Sequence, residues 1–169
     1  MDAQFRELER ALAARPDLTV WWRDDDISCI RPWHPVLLLR GWRRLRFVCE
    51  LLAKTKIPAL LAVEPRNFPE KGPLILNVVG VSGLPVAVHG LRHENRARVG
   101  GKSEFPPEYA GPDQCREILA VFRRLRQYFG DRLLPVFVPP FNSIASPLRE
   151  MLEESGITIS SGNAGGVCN

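Results

Sequence analysis

Two of the three histidines in this 169-residue chain, His89 and His93, stand four residues apart in the stretch H-G-L-R-H. That spacing puts two imidazoles on the same side of a helical turn, from which both can reach one ion. Alone the pair is a weak signal. A run of three carboxylates, Asp24, Asp25 and Asp26, closes a separate apolar stretch. Adjacent like charges repel, so burying them without a cation is costly. Two imidazoles and one carboxylate leave coordination positions free for water, as a catalytic metal requires. The plain alternatives are His89 as a strand-end residue, His93 on the surface and the Asp run as a solvated turn or helix cap. A shared cation removes the repulsion that those alternatives leave in place.

The elements that would carry these groups follow from hydrophobic period and breakers. Phe5, Leu8 and Leu12 share one face of an opening helix over residues 3–14, which Pro16 stops. Residues 18–22 form an apolar, strand-forming run that ends at Arg23 and delivers the carboxylates at its C-terminal end. Leu38, Trp42, Leu45, Val48 and Leu52 recur at helical steps over 36–54. Further buried strands are expected at 59–63, 85–88 and 136–138, and a last strand-like run at 157–160. The Pro- and Gly-punctuated residues 64–83 admit a short helix or a strand around 74–79. Residues 100–111 read as a loop. Pro112, the stripe Cys115, Ile118, Phe122, Leu125 and Phe129, and Gly130 as a stop mark a further helix. Ser146 is expected to cap one more, with Pro147 in its first turn and Gly156 at its end. Strands alternating with helices imply an α/β domain with a mainly parallel sheet or barrel, whose sites gather at the C-terminal strand ends. The stretches 24–26, 89–93 and 139–142 all fall at such ends.

The stretches W-W-R-D-D-D, H-G-L-R-H-E-N and V-F-V-P-P-F-N, in this order across residues 18–142, resemble a bacterial subgroup of the polysaccharide deacetylases. That family carries an Asp-Asp pair after its first strand, an H-[ST]-x-x-H motif and an R-x-P-[FY] motif. The counterparts here are R-D-D-D at 23–26, H-G-L-R-H at 89–93 and V-P-P-F at 138–141. The resemblance implies a partial or distorted (β/α) barrel and one divalent metal ion, usually zinc. It implies Asp24 as catalytic base, and Asp25, His89 and His93 as metal ligands. Pro140 and Phe141 take the substrate and oxyanion positions, with the Phe141 backbone N–H as donor. The implied reaction removes acetyl groups from an N-acetylated sugar or polysaccharide by metal-activated water. If the Asp register slips by one, Asp25 becomes the base and Asp26 the ligand.

Three departures accompany the match. The arginine that orients the base in the family is Val138 here, and Arg23 or Arg92 are the candidates to replace it. No histidine follows His93 to serve as the general acid of the family's late motif, and His34, flanked by Pro and Trp, reads as incidental. The tail 160–169 has no packing pattern. We therefore expect a single domain over 1–169 that lacks its C-terminal strands. The second expectation is a catalytically silent, truncated domain that binds metal and a glycan or a partner protein.

Composition excludes other classes. An apolar share of 45% with 25% charged residues is ordinary for a globular chain. The longest apolar runs fall far short of a spanning helix, so no membrane association is expected. The N-terminus lacks the pattern of a secretory signal and the four cysteines form no C-x-x-C pair, which implies a cytoplasmic protein with reduced thiols. The net charge of +4 comes from nineteen arginines and four lysines. The clusters Arg40, Arg43, Arg44, Arg46 and Arg123, Arg124, Arg126 lie in helical segments without interleaved aromatics, and read as solvated faces rather than a nucleic-acid footprint.

Overall fold

A computed structural model describes residues 21–27, 35–55, 57–66 and 78–160, together with Glu7, Arg10, Ala11 and 13–15. Of the opening helix, Glu7, Arg10, Ala11 and Ala13 are helical. Residues 16–20, His34, Cys29, Cys168 and the tail from 161 lie outside the described residues, as do all of 67–77 and with them most of the undecided run at 74–79.

Five strands form one all-parallel sheet in sequential order, β1 (Trp22–Ile27), β2 (Ala59–Val63), β3 (Val86–His89), β4 (Leu133–Val138) and β5 (Thr158–Ile159). The helices are α1 (Pro35–Thr55), α2 (Pro112–Phe129) and α3 (Ser146–Glu154). Residues 78–81 form one helical turn, which settles the end of the undecided stretch as helical. Parallel neighbours need crossover connections and have both faces covered. Accordingly every residue of β2 and β3 is buried. Strand order that follows chain order is the winding of a barrel, here left open among the described residues.

Strand parity divides the interior into two layers. Leu61, Val63, Val86, Val88 and Phe137 pack with Ile118, Leu125, Leu148 and Leu152 of the helices in the main core. Leu60, Ala62, Ala87 and Val138 point to the opposite, concave face and form a smaller cluster. The stripe expected on α2 is buried throughout, with Val121 added, while Arg123, Arg124 and Arg126 are exposed, as are Arg43, Arg44 and Arg46 of α1. Gly130, at φ 55, ends α2 with its N–H on the Arg126 carbonyl.

Two local expectations are corrected. β1 begins at Trp22 and runs through the carboxylates to Ile27, so the Asp run is part of the strand and not its sequel. Ser146 is the first residue of α3 and does not cap it. The cap is Ala145, whose carbonyl accepts from Leu148 and Arg149 and whose N–H donates to Phe105 at 3.1 Å, so a backbone bond to a distant loop sets the helix entry. Among the described residues no helix is long and apolar enough to cross a membrane.

Because Leu148 is fully buried between α3 and the sheet, Leu148→Ala should cost about 2–5 kcal/mol through lost burial and a residual cavity. The exposed Leu134 replaced by Ala should stay within about 0.5 kcal/mol of the parent. Urea denaturation midpoints of the two variants check the contrast.

Candidate metal centre

The site is assembled by an irregularity in β1. Asp24 stands opposite Leu61 and Ile27 opposite Val63, so Asp25 and Asp26 together face the single residue Ala62 across the ladder. This is a β-bulge, and Asp26 takes a positive φ of 62° in it. Leu61 and Val63 belong to the helix-facing core, so their partners Asp24 and Ile27 point that way too. Asp25 and Asp26 are left on the concave face. Asp24 there lies within reach of Arg44 and Cys49 of α1. Burial pushes its carboxyl above the ordinary 3.8, with the Arg44 charge opposing and Asp25 and Asp26 adding. Burial, with the Asp24 charge next, likewise raises the Cys49 thiol.

The expected register is thereby displaced by one. The carboxylate brought to the imidazoles is Asp26, not Asp25: Asp26 Oδ1 lies 3.1 Å from His89 Nε2 and 2.9 Å from His93 Nε2. Asp25 is instead held by Arg23, at 2.8 Å from Nε and 2.9 Å from a terminal guanidinium nitrogen. Asp25 Oδ1 is buried, and the ion pair with Arg23 Nε is its contact there. Arg23 also donates to Ser160 Oγ at 3.2 Å. Asp24 is not part of the group.

The second histidine does not reach the site by a helical turn, which corrects the geometry inferred from its spacing. His89 ends β3, and the chain then turns through Gly90 at φ 62 and His93 at φ 54. A Cβ on Gly90 would meet Pro140 Cγ at 2.3 Å and Glu104 Oε2 at 2.4 Å, so only glycine fits. Glu104, fully buried, accepts from the backbone N–H of Leu91 at 3.1 Å and of Arg92 at 2.7 Å. Its carboxyl is raised by burial and lowered by these bonds and a further one from the His93 backbone. Glu104 shapes the turn that aims His93, and neither spacing nor motif had marked it. Pro140 is buried and packs against Gly90 in the same place. The Phe141 ring lies 4.8 Å from that of His93. All four non-glycine residues with positive φ among those described, Asp26, His93, Phe141 and Asn142, lie at these three strand ends, where strain is retained for function.

The group fits a divalent cation. His89 Nδ1 lies 3.0 Å from the Val138 carbonyl, which can only accept, so Nδ1 carries the proton. In the neutral ring Nε2 then presents a lone pair to the Asp26 carboxylate. Facing acceptors repel, and a positive charge among them removes the conflict. All three ligand atoms lie within 4.8 Å of one another. His89 is 4% exposed, His93 30% and Asp26 69%, so the group is anchored at one side and open to solvent at the other.

With this geometry in hand, the fold can be set beside known structures. A CE4 family pseudoenzyme from Bacillus anthracis superposes with a TM-score of 0.57 at 16% identity, over 83% of this chain and 42% of that one. The fold is that of the CE4 polysaccharide deacetylases. A peptidoglycan N-acetylglucosamine deacetylase gives a TM-score of 0.55 at 18% identity, over 82% of this chain and 54% of that one. The chain thus spans about half the length of the solved CE4 proteins it matches. No family model and no curated protein matches it. Since one CE4 neighbour is a pseudoenzyme and another a deacetylase, the fold is compatible with both activity and silence.

Asp24 gives a clean test of which face carries the chemistry. Its raised pKa means that ionisation destabilises the folded state. That cost is absent below 3.8, grows as pH rises from there toward the raised folded-state value, and is present in full above it. Asp24→Asn should therefore raise the melting temperature at pH 7, leave it unchanged at pH 3, and leave metal content intact. A loss of bound metal in this variant would return Asp24 to the site.

Proposed function

We propose that the chain is a metal-dependent hydrolase domain that removes acetyl groups from N-acetylated sugars or polysaccharide. Asp26, His89 and His93 would hold one divalent ion, zinc by the nitrogen and oxygen character of the set. The observation that carries the reading is the convergence of Asp26 Oδ1 on two imidazole nitrogens beside the Asp25 carboxylate that Arg23 holds. The ion, when bound, lowers the pKa of its water and polarises the acyl oxygen.

The chain's own groups divide the remaining work. Asp25 takes the proton of the attacking water, its carboxylate kept ionised and oriented by the Arg23 guanidinium. Arg23 holds Asp25 in place from the same strand, and so takes the orienting role that the apolar Val138 side chain does not serve. Val138 contributes its carbonyl to His89 and so fixes the tautomer whose Nε2 faces the site. The Phe141 N–H is used by neither bond of its turn, which run from Asn142 to Pro139 and from Ser143 to Pro140. It is the donor we assign to the developing oxyanion. Pro140 acts as packing for Gly90. Cytoplasmic residence is part of the same proposal, supported by the buried free thiols of Cys49 and Cys115. The silent reading, a domain that binds metal and glycan without turnover, draws its support from the pseudoenzyme among the structural neighbours.

Two substitutions separate the roles. Asp26→Asn should lower zinc content to well under one equivalent, whereas Asp25→Asn should retain the metal and reduce release of acetate from N-acetylated chito-oligosaccharides by about 10²- to 10⁴-fold. Metal analysis and an acetate assay on both proteins check this. Exchanged phenotypes would reverse the register, and wild-type protein that binds zinc and sugar without releasing acetate would select the silent domain.

A further inference from the structure

Glu64 directly follows β2, at the end of the sheet where the ligand group lies. Its N–H donates to the Ile27 carbonyl at 2.9 Å, so β2's pairing with β1 continues one residue past Val63. Parity then sets Glu64 on the face of Leu60 and Ala62, the concave face. Across the ladder to β3, Val63 pairs with Val88, so the next position is opposite His89. On the other side the bulge that displays Asp25 and Asp26 faces Ala62, two residues before Glu64 on the same sheet face. Glu64 therefore lies on the sheet face that carries the ligand group, between the strand ends that supply it.

Glu64 is 4% exposed, and its Oε1 is buried without a hydrogen-bond partner. The chain just beyond is pinned, since the Pro65 carbonyl accepts from Arg124 at 2.9 Å. A buried acceptor with no donor is a net cost to the fold, and such groups call for an explanation. Functional sites are where sequences retain these costs. The Asp26, His89 and His93 ligand atoms group within 4.8 Å of one another without the Glu64 carboxylate. What Glu64 lacks is therefore a hydrogen-bond donor, which a ligand can bring.

We propose that Glu64 is a substrate-binding residue whose carboxylate accepts a hydrogen bond from a hydroxyl or amide N–H of the bound N-acetylated sugar. The assignment rests on the hydrolase reading above and deepens it. A sugar carries several such donors, and a site built to pair with one rejects analogues that lack it. The oxygen is buried in the free protein, so the sugar meets it through a rotation of the Glu64 side chain, the backbone on either side staying held by the bonds at Ile27 and Arg124.

The test is made on the zinc-loaded full chain with Glu64→Met, and with Glu64→Gln as the milder variant should the first fail to fold. Tetra-N-acetylchitotetraose is the probe, with calorimetric binding, zinc content and thermal melting as readouts. Removing an unpaired buried carboxylate in favour of an apolar side chain of similar volume should raise the melting temperature of the sugar-free protein by roughly 2–4 °C. The same change should weaken sugar binding at least about tenfold, with Glu64→Gln in between and zinc content unaltered. A purely structural role would move stability and binding in the same direction. Wild-type affinity retained in the Met variant, or a lower melting temperature, would overturn the assignment and leave the hydrolase reading intact. Loss of zinc would overturn it by making Glu64 a metal ligand. Wild-type protein that does not bind the oligosaccharide would sink the sugar-hydrolase reading itself, and this inference with it.

Discussion

A strand shows successive side chains to opposite faces, so three adjacent carboxylates cannot all serve one site. The bulge between Asp24 and Ile27 is the constraint on which the rest of the centre depends. It inserts one residue, returns Ile27 to the helix-facing core, and leaves Asp25 and Asp26 together on the concave face. Asp26 takes φ 62 to do so, a conformation that aspartate tolerates better than most non-glycine residues. Had the ladder run regularly, Asp26 would share the face of Asp24 and point toward α1, and the two imidazoles would face no carboxylate from that position.

The imidazoles are delivered by a second irregularity whose parts are backbone and packing. The Val138 carbonyl fixes His89 while also accepting from Gly90 at 3.1 Å, so one strand-end oxygen orients a ring and starts a turn. Glu104 then gathers the N–H groups of that turn from beneath, and Pro140 closes over Gly90. The side chain at 138 takes no part in this, which is how an apolar valine can stand at a site-forming strand end. It faces Leu60, Ala62 and Ala87 instead.

Much of this was legible in the sequence where periodicity governs. The strands at 59–63 and 86–89 and the helix from Pro112 to Phe129 follow from apolar runs and from Pro and Gly punctuation. The three motif stretches meet at one end of the sheet, as a parallel α/β order requires. What could not be read is of another kind. The choice among Asp24, Asp25 and Asp26 turns on a bulge, whose signature is a register across two strands and not a local pattern. H-x-x-x-H looks the same in sequence whether a helix or a glycine turn brings the rings together. Glu104 sits in a loop marked only by Pro106 and Pro107, and nothing near it in the chain announces a carboxylate that serves residues 91–93. Glu64 sits beside Pro65 at the end of an apolar run, where the eye reads the end of a strand rather than a site.

Arg23 links the two scales of the structure. β1 and β5 are the outer strands of the described sheet, and Ser160, whose N–H donates to Phe137 at 2.9 Å, extends the pairing of β5. A hydrogen bond from Arg23 to Ser160 Oγ therefore crosses the concave face from one edge to the other, while the same guanidinium holds Asp25. A guanidinium presents several donors in a rigid fork, so it can serve two partners without rotating away from either. The curl of the sheet and the aim of Asp25 thus share one side chain. A shift of β5 relative to β1 would be felt at the carboxylate before it was felt in the core, because the core contacts of both strands lie on the other face.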